Sequence, residues 1–382
     1  MSVELPDLPL EDFEIPEDVE DEIKDESGGS ITYAFVGSGQ GGGRIAEAFY
    51  KLGYKKVLCV NTAKHDLNTL NEVPEGQRIH LDIGEQGAGK NMEKGENAAQ
   101  KYQQEIYDAM KRVFGKVDRI IVCAGLGGGT GGGSVLVLID TARKYLSYVG
   151  NNNPKTHVGV IATLPTDGEA ASSTVAKNSR LQADKLADLS EESEISPLIF
   201  VDNNKIQRLY PRLTVKQFWP TVNTTIAGLF HTFNVLTTHD SQYSTFDPAD
   251  YSSIVDMGGC MIMGLTNIKN YQTEFDISKA LKSNLTKTLL ADGFDLQTAK
   301  GAAVIVIGGS TLFDTVPGLM NSIEYGFDTV ANLTGDCTVH RGIYETERDK
   351  LTVYTLLSGL DAPRDRIKKI ERMQNTKSLY GE

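Results

Sequence analysis

The chain is poor in the residues that staple, anchor or export a protein. Its four cysteines, Cys59, Cys123, Cys260 and Cys337, stand far apart, and three of them lie inside apolar, strand-like runs. That leaves no disulfide framework and no zinc spacing, and points to buried, reduced thiols in a cytoplasmic setting. The six histidines form no cluster, so neither a metal centre nor a His-based catalytic triad has a footing. No stretch approaches the roughly 18 to 20 apolar residues of a membrane-spanning helix, which speaks against direct membrane insertion. The N-terminus is acidic, the opposite of a secretory leader. No Gly-Lys-Ser/Thr follows any Gly-rich stretch, so the lysine of the usual phosphate loop is missing too.

Charge is present but unevenly spread. Of the formal net charge of −13, residues 1–29 hold twelve Asp/Glu against Lys24, or −11. Such a segment reads as a disordered acidic arm, serving solubility or contact with a partner. At the other end, Ala362–Glu382 holds six Lys/Arg against Asp365, Glu371 and Glu382, or +3. This basic tail reads as a short amphipathic helix followed by disorder. It is either a solvated helix end or a contact for an acidic partner.

Glycine is where the sequence is rich. Gly125–Ser134 reads GLGGGTGGGS, between the apolar runs Arg119–Ala124 and Val135–Ile139. A loop without Cβ atoms lets successive backbone N–H groups turn toward an anion, and the following helix adds its positive end. Thr130 is the one side chain within Gly127–Gly133 and offers a hydroxyl donor. A second Gly-rich turn, Gly37-Ser-Gly-Gln-Gly-Gly-Gly43, follows the strand-like Ile31–Val36.

Strand-like runs at Lys56–Val60, Ile79–Ile83, Ile120–Ala124, Val158–Leu164 and Leu198–Val201 alternate with helical stretches such as Arg44–Leu52 and Asn97–Phe114. That alternation predicts a parallel sheet covered on both faces, with ligands at the carboxyl ends of its strands. A long helix is predicted over Pro220–Leu236, its proline in the first turn. Beyond it, strands at Cys260–Gly264, Ala302–Ile307, Thr338–Tyr344 and Leu351–Leu357, with helices at Ser278–Leu290 and Thr315–Val330, predict a smaller α+β unit on a mixed sheet.

The two Gly-rich turns, with the later Asp247-Pro-Ala-Asp250, resemble the tubulin/FtsZ superfamily over about residues 31–360. The resemblance implies a Rossmann-like GTP-binding domain, a long central helix and a smaller C-terminal domain. Its divisions here are an acidic arm (1–29), a GTP-binding domain (30–212), the central helix (213–239), an α+β domain with the catalytic loop (240–360) and the basic tail (361–382). It implies GTP or GDP with Mg²⁺ as cofactors, and head-to-tail polymerisation of the chain with itself.

Residue by residue, the resemblance assigns the first phosphate loop to Gly37, Ser38, Gly39, Gln40, Gly41, Gly42 and Arg44, and the turn after the second strand to Asn61. Gly87, Ala88, Gly89, Lys90 and Asn91 match the loop that senses the γ-phosphate. Gly127, Gly128, Gly129, Thr130, Gly131 and Gly132 match the signature loop. Pro165 and Glu169 match the ribose loop, although the arginine expected a few residues later falls near Ser173. Asn203, Trp219 and Asn223 match the guanine site, the last two sharing one helix face four residues apart. Asp247 and Asp250 match the catalytic loop, which in this family acts on the neighbouring subunit's nucleotide; Thr245 stands in place of the usual asparagine.

Gly37-x-Gly39-x-x-Gly42 also satisfies a dinucleotide fingerprint, but Asn61 stands where that reading needs an acid. A non-hydrolysing GTP-dependent scaffold and an FtsZ-like division filament are the other readings. The basic ending looks more like the plasmid- or phage-borne TubZ-like group, which implies DNA or phage positioning and an adaptor protein at the tail.

Overall fold

A computed structural model describes residues 27–377 apart from 270, 272, 287–289, 348 and 349. The acidic arm up to residue 26 and the end of the tail lie outside the described residues. Strand β1 (Tyr33–Ser38) runs into helix α1 (Gly39–Lys51), followed by β2 (Val57–Asn61), α2 (Lys64–Asn68) and β3 (Arg78–His80). Helices α3 (Met92–Lys101) and α4 (Gln103–Val113) lead to β4 (Arg119–Gly125), α5 (Gly129–Tyr148) and β5 (Val158–Leu164). Then come α6 (Asp167–Ala170), α7 (Ser173–Glu191), β6 (Leu198–Asp202), α8 (Asn203–Leu209) and the long α9 (Val215–Leu236). The second half holds α10 (Pro248–Val255), β7 (Cys260–Ile268), α11 (Asp276–Thr286), β8 (Gly301–Gly309), α12 (Ser310–Thr315) and α13 (Leu319–Leu333). It closes with β9 (Thr338–Thr346), β10 (Leu351–Leu360) and α14 (Arg364–Lys377).

The strands form one sheet in the order β3-β2-β1-β4-β5-β6-β7-β10-β8-β9. The first six are parallel, and β7 joins them through the single pair Leu198↔Cys260. Strand β10 runs antiparallel to both β7 and β8, while β9 is parallel to β8. The strand order reverses between β1 and β4, and that switch point opens a crevice at their carboxyl ends.

Both faces are buried because successive strand residues point to opposite sides. Ala34 and Val36 of β1 and Ile120 and Val122 of β4 join the layer under α3, α4, α5 and α7. Tyr33, Phe35, Ile121 and Cys123 join the layer under α1 and α9. Cys59 and Cys123 are wholly buried, and burial pushes the Cys59 thiol up to about 12, so it is inert at neutral pH.

The α/β class, the long central helix and the smaller α+β second half are as expected; several boundaries are not. The central helix starts five residues before Pro220, because Thr214 and Gln217 close a reciprocal capping box. The proline lies inside the helix. The expected Asn97–Phe114 helix is two helices broken at Tyr102. The expected Thr315–Val330 helix is interrupted at Pro317 and Gly318, the latter in a left-handed conformation (φ 77°). Both Gly-rich turns are shorter than they read, since α1 starts at Gly39 and α5 at Gly129.

Two buried polar joints hold the long-range geometry. In the first, Asn234 of α9 donates through Nδ2 to the Ile31 carbonyl (3.0 Å) and accepts the Ile31 N–H at Oδ1 (3.0 Å). Its amide also donates to the Tyr54 hydroxyl (3.2 Å), which meets His231 Nδ1 at 3.1 Å. In the second, Arg366 of α14 makes a bidentate pair with the wholly buried Asp202, at 2.6 and 3.0 Å. Arg364 meanwhile pairs with Asp188 and Glu191 of α7. Two of the tail's basic residues are therefore spent inside the fold, leaving Lys368 and Lys369 exposed.

Removing Arg366 strands a buried carboxylate. Arg366→Ala is expected to cost about 3–5 kcal/mol in urea unfolding, against a small change for Lys368→Ala. A second expectation concerns acid. Burial holds His231 down to about 4 from 6.5, so between those values the unfolded chain binds the extra proton. Stability from this group is therefore full above pH 6.5 and falls by about 3 kcal/mol as the pH drops to 4. His231→Gln should flatten that part of the pH–stability curve.

Candidate functional site

The cleft at the carboxyl ends of the parallel strands has a volume of about 1250 Å³. Strand ends bring Ser38, Asn61, Gly125 and Thr163 to its floor, and α1, α5 and α8 start at its edge. Neither α1 nor α5 has a side-chain cap or an acidic residue in its first turn. By contrast, α8, beside them, is capped by Asp202. An uncapped helix start holds backbone N–H donors and a positive end that a phosphate satisfies.

Glycine makes that approach possible. Gly39 has φ 67°, and a Cβ there would lie 3.0 Å from the Gly131 nitrogen. The two helix starts therefore touch backbone to backbone. Arg44, Lys64 and Lys90 bring cationic side chains to the same cleft. Lys90 Nζ donates to Ser172 Oγ across its mouth (3.2 Å).

Most of the residues singled out from the sequence converge here. Ser38, Gly39, Gln40, Gly41, Arg44, Asn61, Gly87, Ala88, Gly89 and Lys90 line the cleft. So do Gly127, Gly128, Gly129, Thr130, Gly131, Pro165, Glu169, Asn203, Trp219 and Asn223. Four do not, three of them glycines held by packing and the fourth a helix cap. A Cβ on Gly37 would sit 2.6 Å from the Gly42 carbonyl, one on Gly42 2.0 Å from that of Cys123, and one on Gly132 2.6 Å from that of Leu126. Gly37 and Gly42 let α1 settle on β1 and β4, and Gly132 lets α5 settle on the turn after β4. Asn91 is the N-cap of α3, accepting the Lys94 N–H.

Thr130 lines the cleft and is also hydrogen-bonded within its frame. Its hydroxyl meets Thr62 Oγ1 at 2.6 Å and Asn61 Oδ1 at 3.3 Å, while Thr62 Oγ1 accepts the Ala88 N–H. The network ties the β2 turn, the start of α5 and the loop of residues 84–91 into one frame. Thr62 was legible next to Asn61 at a strand end. The nearby Lys64, His65 and Asp66 sit on the five-residue α2 and carried no sequence signal of a site.

At the far side, Glu169 closes a capping box, accepting from the Thr166 N–H and Oγ1 at one oxygen, Oε2. Asn203 is 6% exposed and its Oδ1 has no partner, a buried acceptor in the cleft wall. Such a group calls for a ligand donor. Trp219 and Asn223, both on α9, line the same cleft.

Asp247 and Asp250 lie elsewhere. Asp247 caps α10 and accepts the Asp250 N–H (2.8 Å), and Asp250 Oδ2 accepts the Asp247 N–H (3.4 Å). Helix α10 sits at the amino ends of the parallel strands. Tyr251 meets Tyr33 at the start of β1 (3.3 Å), Ser196, just before β6, donates to the Val255 carbonyl (2.7 Å), and Asp256 pairs with Arg119 at the start of β4. The seven-residue β4 thus separates α10 from the cleft by roughly 20 Å.

Comparison with known proteins agrees with this geometry. The profile described as "Tubulin/FtsZ family, GTPase domain" matches residues 32–211. A second, "Tubulin/FtsZ-like protein TubZ-like, C-terminal domain", matches residues 232–371. The tubulin-like protein TubZ of Bacillus cereus is 26% identical over 393 residues, covering 92% of this chain and 85% of that one. A GTPγS-form protofilament of Bacillus thuringiensis serovar israelensis TubZ superposes with a TM-score of 0.78 at 19% identity, over 94% of each chain. A TubZ described as a type III plasmid segregation protein superposes at 0.75 and 19% identity, again over 94% of each. Two profiles that between them span both halves of the chain, on a sheet with its crevice at the β1/β4 switch point, establish that this protein belongs to the tubulin/FtsZ family and carries that family's GTPase domain.

Proposed function

We propose that the chain binds GTP in the cleft, polymerises head to tail, and completes each active site with Asp247 and Asp250 from the next subunit. The observation that carries this reading is the separation of the two halves of the site. The cleft lies at the carboxyl ends of the parallel strands and α10 at their amino ends. A carboxylate roughly 20 Å from the cleft cannot serve its own nucleotide. Stacking one copy on another, amino-end face on carboxyl-end face, brings the two together. Hydrolysis then follows assembly, because the monomer lacks half of the machinery.

In the cleft, the starts of α1 and α5 would hold the phosphates, with Arg44 and Lys90 as counter-charges. Asn203 and Asn223 would hold the guanine edge against Trp219, and Glu169 Oε1 remains for a ribose hydroxyl. Asp250 and Asp247 of the incoming subunit would orient the attacking water and take up its proton. Mg²⁺, when bound, neutralises the charge on the transferred phosphoryl oxygens. Among the described residues no group of three or more His, Cys, Asp or Glu forms a ready ligand set. Phosphate oxygens and water would therefore supply most of the ion's ligands.

The TubZ-like second half supports a cytomotive filament that moves or positions DNA, as the plasmid-segregation relative's description suggests. With Arg364 and Arg366 engaged inside the fold, an adaptor at the tail would read the exposed Lys368 and Lys369 and whatever follows them.

Asp250→Asn tests the reading. GTP affinity should stay within about twofold, while phosphate release falls about a hundredfold. Electron microscopy with GTP should show filaments that persist, whereas the parent's disassemble as GTP is spent. Loss of GTP affinity in this variant would place Asp250 in its own subunit's nucleotide site and refute the two-subunit arrangement.

A further inference from the structure

Asp250 is held by more than its cap. Its Oδ1 lies 2.7 Å from His340 Nδ1, on strand β9, ninety positions away in sequence. A carboxylate oxygen only accepts, so His340 presents Nδ1–H to it. The far ring nitrogen, Nε2, lies 3.4 Å from Ser253 Oγ, which in turn donates to the Asp250 carbonyl (2.8 Å). The ring is therefore held at Nδ1 by the Asp250 carboxylate, with Ser253 of α10 in contact at its other nitrogen. The pair is half-buried, with 18% of the His340 side chain and 29% of that of Asp250 exposed. It is accessible to an incoming surface yet sheltered enough to hold its geometry.

Strand β9 also templates the chain that leads to the two aspartates. Ser241 donates to the Ile343 carbonyl, the Ile343 N–H donates to the Ser244 carbonyl (2.8 Å), and the Phe246 N–H donates to the Tyr344 hydroxyl (3.0 Å). Gly342 lets Phe246 lie flat on the strand, since a Cβ there would come 3.1 Å from that of Phe246. Residues 241–246 are thus laced along β9, and His340 fastens the same strand to the Asp250 carboxylate itself.

We infer that His340 is a positioning residue for GTP hydrolysis in the neighbouring subunit, fixing the Asp250 carboxylate in the orientation it presents across the filament contact. The inference rests on the two-subunit reading above. Without the Nδ1–H donor, the carboxylate keeps only the 3.4 Å bond from the Asp247 N–H to Oδ2, and a displacement of about 1 Å at a reacting group costs up to about a hundredfold in rate.

The test uses the full-length chain. In His340→Asn the side-chain amide can place an N–H near the Nδ1 position; in His340→Gln it is one methylene too far out. H340Q is expected to lower phosphate release by assembled protein about tenfold. GTP affinity and the threshold concentration for assembly should stay within about twofold of the parent. H340N should recover to within about threefold of the parent rate. H340Q added to Asp250→Asn should cause no further loss, because both act through one carboxylate. Parental turnover in H340Q, equal loss in H340Q and H340N, a threshold that moves in step with turnover, or full additivity with Asp250→Asn would each overturn the assignment of His340 alone. Parental turnover in Asp250→Asn would instead overturn the two-subunit reading itself.

Discussion

A parallel strand has two unlike ends, and the chemistry of this protein follows from that polarity. Six adjacent strands point the same way, so every turn into a following helix opens on one face, with helix N-termini directed at it. The opposite face receives the loops that enter the strands, and there α10 packs against Tyr33, Arg119 and Ser196. A protein built this way carries helix N-termini on one face and the Asp247–Asp250 capping box on the opposite side. Copies that stack with their polarity aligned place unlike faces in contact at every junction, which produces a filament rather than a closed pair.

Close backbone approach is the second constraint. The cleft exists because α1 and α5 start within van der Waals contact of each other, and the glycines divide the labour. Gly39, Gly129 and Gly131 shape the wall, whereas Gly37 and Gly42 let α1 settle on strand backbone and Gly132 lets α5 settle on the turn after β4. The hydroxyls of Thr62 and Thr130 fasten the β2 turn to the start of α5.

The sequence made the parallel sheet legible because strand and helix periods alternate strongly through residue 202, and Gly-rich turns mark the strand ends. The cleft was legible for the same reason, since backbone loops announce themselves by glycine. Helix boundaries were less so. Pro220 looks like a helix start, yet the capping pair Thr214 and Gln217 lies just upstream and wins. The break at Tyr102 has neither glycine nor proline to mark it, and apolar residues on both sides of it feed the same core layer, so the pattern reads as one helix. Pro317 did mark a break, and the helical spacing of its neighbours hid it. Long-range polar pairs were not legible at all. Asp202 with Arg366, and Asp250 with His340, join residues 164 and 90 positions apart, and only the folded topology makes them neighbours.

Division of one active site between two copies is the central claim, and GTP turnover per subunit measured against protein concentration tests it most directly. Turnover should be close to zero below the concentration at which filaments form, then rise steeply to a plateau as junctions fill. A rate per subunit that stays constant down to dilutions where sedimentation finds monomers alone would contradict the account.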